Sequence, residues 1–170
     1  MKNLLLDHVE YKVEETNRGV WRRYLYPSGE LFEDFVSHSQ VLGMPLLHYT
    51  AGRCPETGKR LVAVGFFAVG RKAFGVVALG QASMGVIAIG QLAIGLAVGL
   101  GQASTGVIAI GQLAIGLIFG LGQFVTGYVA IGQFALGRWV LAQIGLGIDV
   151  WDTRAGSDAA KAFFKRYLGL

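Results

Sequence analysis

The sequence predicts an all-β fold: a β-solenoid with coils of about 20–21 residues and pentad sides, closed by an N-terminal β-hairpin cap and a short C-terminal helix cap. Three observations carry this. Glycine recurs every five residues from Gly65 to Gly137, residues 80–100 and 101–121 agree at 18 of 21 positions, and the 65 residues from Ala73 to Gly137 contain no Asp, Glu, Lys, Arg or His.

A period of five excludes an amphipathic helix, because successive glycines would advance about 500° and spiral around the axis without forming a face. In an extended chain the same spacing gives short strands between bends. Counting each Gly as zero, position four is bulky (Ile89, Ile94, Ile110, Ile115), position three small (Ala88, Ala93, Ala109, Ala114) and position two mostly apolar (Ile87, Leu92, Ile108, Leu113). Position one is the most polar, with its glutamines. Positions two and four are therefore expected inside, one and three outside. An extra residue enters at Gly95–Leu100 and again at Gly116–Leu121, so four pentads occupy 21 positions. The 18 identities favour this longer coil over a flat one of about ten residues. In that register Gln81, Gln102 and Gln123 form one column and Gln91, Gln112 and Gln133 another, both structural candidates for amide ladders along the axis.

The flanks read as caps for what are otherwise open sheet edges. Residues 1–60 form a β-rich cap in which Tyr24–Phe32 is a hairpin closed by Pro27-Ser28-Gly29. Pro55-Glu56-Thr57-Gly58 turns the chain into the repeats, residues 61–148. In the cap of residues 149–170, Ser157 or Asp158 opens a helix over 159–168, with Phe163, Phe164, Tyr167 and Leu168 facing the last coil.

The run Gly43-Met44-Pro45-Leu46-Leu47-His48, then Pro55-Glu56-Thr57-Gly58-Lys59, then Val62-Ala63-Val64-Gly65 and repeated Ala-Ile-Gly units, resembles uncharacterised bacterial Gly-rich AIG-repeat proteins. The resemblance spans roughly residues 40–140 and implies a Gly-rich solenoid without an established activity. Pentapeptide-repeat proteins share the period, but their A-[DN]-L-x-x signature and acidic surface are missing, so DNA mimicry does not carry over.

Charge and composition narrow the function classes. The net charge of +4 is spread over scattered pairs, Arg22-Arg23, Arg71-Lys72 and Lys165-Arg166, which argues against a nucleic-acid partner. The N-terminal Leu4-Leu5-Leu6 is too short for a signal peptide, and with the single Cys54 it points to the cytoplasm. His8, His38 and His48 are far apart in sequence, and Glu33 and Asp34 fall on opposite faces of a strand. His48 with Cys54 is read as a loop histidine and an incidental thiol rather than a metal or catalytic pair. No catalytic residue, metal ligand or cofactor site is expected, and no enzyme.

The expected role is a non-catalytic structural or interaction module, with itself or another protein as partner, because uncharged outer faces mark interfaces. The rival is a membrane-embedded or membrane-associated repeat protein, with Gly95–Gly99 and Gly116–Gly120 as helix contacts. Against it stand the pentad phase, the recurring Gln and the lack of basic loops. Binding of an extended surface such as ice rests only on Thr105 and Thr126, a short column.

Overall fold

Alternating side chains and short turns set up the first part of the chain. In the computed structural model, which describes residues 9–154 and 156–169, β1 (Lys12–Thr16), β2 (Gly19–Leu25) and β3 (Leu31–Ser37) form an antiparallel meander. The β2–β3 hairpin closes through Pro27-Ser28-Gly29, where Gly29 takes φ +85° and its N–H bonds to the Tyr26 carbonyl at 2.9 Å. A two-stranded sheet of β4 (Gln40–Val41) and β5 (Met44–Pro45) follows. Then β6 (Leu47–Ala51) pairs antiparallel with β3, and β7 (Val62–Gly70) runs parallel to β6. The last strand, β8 (Lys72–Trp151), is 80 residues long and is followed by helix α1 (Asp158–Leu168). Ser157 caps α1 by accepting from the Ala160 N–H at 3.1 Å, and Gly169 ends it in the left-handed conformation.

This arrangement overturns the all-β solenoid of 20–21-residue coils. The chain is mostly β, but it is built on a mixed six-stranded sheet of order β1-β2-β3-β6-β7-β8, with one C-terminal helix. The strand offset differs as well. β8 pairs in parallel with β7 ten residues earlier, Val62 opposite Lys72 and Val69 opposite Leu79. Sequence similarity misled because its period is twice the structural one: Gly111 lies on the Gly101 carbonyl at an offset of ten, and Gly122 on that of Gly111 at eleven. Ten plus eleven reproduces the 21-residue block. These glycines have ordinary φ values, so close approach is what demands them: a Cβ at Gly111 would overlap the Gly101 oxygen.

The chain divides into two compact units, residues 1–86 and 87–170. In the first, Ala63, Ala68, Ala73 and Ala78 form a buried alanine cluster at spacings of five and ten. In the second, Ala109, Ala114, Val125, Ala130, Ala135 and Val140 form another buried cluster, at spacings of five and, from Ala114 to Val125, eleven. Position three is thus the core. Positions two and four, expected inside, face outward and position three, expected outside, is buried, while the position-one glutamines are exposed as expected; backbones brought together by Gly-on-carbonyl contacts leave room inward for little beyond Ala, Ser or Val. Strict alternation is therefore not kept: Gln112 and Leu113 are both exposed ahead of buried Ala114, leaving one buried side chain in that pentad.

Candidate functional site: the uncharged outer face

Burying position three turns the large aliphatic side chains at positions two and four outward. In the second unit Ile108 and Ile110 flank buried Ala109, and Leu113 and Ile115 flank buried Ala114, all four exposed. The extra residues at the wider bends carry the extremes, with Leu96 72% and Leu117 73% exposed. Phe124 and Phe134, ten apart, stack with ring centres 5.0 Å apart and planes 6° from parallel. The repeats therefore hold their largest apolar groups on a surface free of charge from Ile87 to Gly137.

Gln81, Gln91, Gln102, Gln112, Gln123 and Gln133 are all exposed. The register does not keep them in the two expected columns. Gln91, Gln102, Gln112, Gln123 and Gln133 each follow one member of the stacked series Gly90, Gly101, Gly111, Gly122 and Gly132, so the two expected sets interleave. Gln81 belongs to the first unit, following Gly80, which lies on the Gly70 carbonyl. Thr105 and Thr126 are only partly exposed.

The first unit gathers the polar chemistry. Glu33 and Asp34 take opposite faces of β3. Glu33 bonds Arg23 at 3.2 Å, whereas Asp34, 1% exposed, accepts from Arg22 Nε at 3.0 Å and pairs with His48 Nε2 at 3.1 Å. Val64 presents both N–H and carbonyl to His48 Nδ1, at 2.8 and 3.1 Å, so neutral and protonated imidazole each find a partner. Burial raises the Asp34 pKa, but the His48 and Arg22 hydrogen bonds outweigh it and hold the carboxyl below its usual range. The Asp34 hydrogen bond, against the opposing effect of burial, raises that of His48. Each polar side chain named in this cluster has a partner.

Cys54 adjoins this cluster through Tyr11, whose ring centre lies 5.8 Å from the Arg22 guanidinium. The cysteine is buried, with Tyr11 Oη at 3.8 Å from its sulfur. Burial disfavours its thiolate, yet hydrogen bonds from Thr57, Glu56 and Tyr11 prevail and lower the pKa. His38 lies 3.9 Å from Glu15, and His8 falls outside the described residues. Among the described residues no three His, Cys, Asp or Glu come together as metal ligands. Sequence reasoning missed the Arg22–Asp34 pair although a signal existed: a hairpin joining Leu25 to Leu31 sets Arg22 opposite Asp34 and Arg23 opposite Glu33.

No described helix is long and apolar enough to cross a membrane, and the segments read as helix contacts at Gly95–Gly99 and Gly116–Gly120 lie within β8. No family model, curated protein or solved structure matches the chain.

Proposed function

We propose that this chain is a non-catalytic interaction module that associates with a second copy of itself through the uncharged outer faces of its repeats. The supporting observation is the inverted apolar distribution. An alanine core contributes only about 0.8 kcal/mol per buried methyl, whereas each Leu or Ile left outside would contribute about 1.5–3 kcal/mol if covered. The larger hydrophobic gain is thus held in reserve for a partner. A second copy offers the same rows of Ile and Leu at the same spacing, so its side chains can interdigitate along several layers. A cytoplasmic location fits the single free thiol.

Sedimentation velocity across a hundred-fold concentration range tests this. The wild type should sediment as a multimer, and the double variant Leu96→Glu, Leu117→Glu as a folded monomer with an unchanged circular dichroism spectrum. A monomeric wild type at about 100 μM would overturn the reading. If that monomer also floated with neutral phospholipid vesicles, lipid would replace protein as the partner of these faces.

A further inference from the structure

The six-stranded sheet carries a second apolar surface that the repeats do not explain. In register across β2, β3, β6 and β7 stand Trp21, Phe35, Tyr49 and Val69. They floor a groove of about 970 Å³ on the face opposite the buried Asp34. The Trp21 ring lies 4.8 Å from that of Phe35 and 6.1 Å from that of Tyr49, and Arg23 covers it at 4.5 Å.

The rim is polar, with Glu33 and Arg18 as its charged lining residues. Glu33 pairs at 3.2 Å with Arg23, which also pairs with Glu14 at 2.9 Å, and the Ser37 hydroxyl is committed, donating to the Ser39 carbonyl and accepting from the Leu47 N–H, each at 2.9 Å. Arg18 lines the same groove and has no ion pair among the described residues. Its turn is held by Thr16, whose hydroxyl donates to the Gly19 carbonyl at 2.7 Å and accepts from the Gly19 N–H at 3.2 Å. The groove thus combines an aromatic and aliphatic floor with a guanidinium, Arg18, that is free of ion pairs among the described residues.

We propose that this groove binds a small amphipathic carboxylate, a medium-chain fatty acid, with the acyl chain on the Trp21–Val69 row and the carboxylate on Arg18. Length supports this occupant: four neighbouring strands span about 14 Å, which at roughly 1.3 Å advance per carbon holds a chain of about ten to twelve carbons. Charge selects the acid over a neutral lipid, since a guanidinium meets a carboxylate in a fork geometry that an alcohol cannot reproduce. The site lies wholly within the first unit and does not depend on the self-association proposed above.

Calorimetric titration of the full chain with decanoate, below its micellar concentration, and with 1-decanol tests the proposal. Decanoate should bind at one site per chain and bind more tightly than the alcohol. Arg18→Gln should weaken decanoate about ten-fold and leave decanol unchanged. Leu47→Glu, at the exposed groove wall, should abolish binding of both, while Leu117→Glu on the repeats should leave both intact. No saturable decanoate binding, equal affinity for the two ligands, or loss of binding in Leu117→Glu would each overturn the assignment, the last by placing the acyl chain on the repeat face.

Discussion

Asp34 is the residue on which the first unit's polar interior turns, and the directions of two pKa shifts define its pH dependence. The Asp34 carboxyl titrates lower folded than unfolded, so its contribution is present above the unfolded value of 3.8 and is lost as pH falls through the depressed folded one. His48 titrates higher folded than unfolded, so its contribution is complete below about 6.5 and is lost as pH rises through the raised folded value. Stability of this unit should therefore peak between roughly pH 4 and 6.5 and decline on both sides. Asp34→Asn should lower stability by about 2 kcal/mol. The larger penalty for breaking a fully buried ion pair does not apply, because Arg22 is 44% exposed and water can resolvate it. The variant should also flatten both limbs of the profile. Urea unfolding at pH 3, 5 and 8 measures this, and an unchanged pH slope in the variant would assign the dependence to other groups.

At the scale of the element, β8 shows how much the sequence disclosed and where it stopped. The five-residue glycine spacing correctly signalled extended backbone but not which positions are buried, and of the two caps read for α1, Ser157 and Asp158, it is Ser157 that serves. Burial was not legible. Hydrophobicity alone ranks Ile108 above Ala109 for burial, and only the Gly-on-carbonyl contacts, which are long-range facts, show that the inward space is alanine-sized. The offset was hidden for a related reason, since side chains such as Ala103 and Leu113 alternate between layers and identity returns only after two. The groove was illegible too: Trp21, Phe35, Tyr49 and Val69 are separated by loops and aligned only by strand register. In α1, Phe164 is buried and Phe163 stacks on Trp139 at 4.4 Å, but Tyr167, read as facing inward, is 66% exposed. The burial pattern has a direct mutational test at neighbouring positions. Ala109→Leu should overpack the core and cost about 1–3 kcal/mol, whereas Ile108→Ala should change the stability of the dilute protein by no more than about 0.5 kcal/mol. Chemical denaturation of both variants decides it, and the reverse ranking would restore the inward placement of position two.

At the scale of the whole chain, the partition of charge predicts what kind of force would drive the proposed association. Every ionised group lies before Ala73 or after Gly137, so contacts made through the repeats between those limits involve no ion pairs. Screening should then matter little. Raising sodium chloride from about 0.05 to 0.5 M shortens the Debye length from roughly 14 to 4 Å and weakens surface ion-pair contacts, but an interface of Ile, Leu and Phe should hold or tighten. Sulfate should tighten it further, because excluded salts favour apolar burial. Cooling acts in the opposite direction, since the entropic drive for burying hydrocarbon fades as temperature falls. The multimer should accordingly lose mass between 25 and 4 °C at fixed concentration, and regain it on warming. Light scattering across that salt and temperature grid reads the outcome directly. Dissociation by salt, or assembly favoured by cold, would mean that the charged flanks rather than the repeats make the contact.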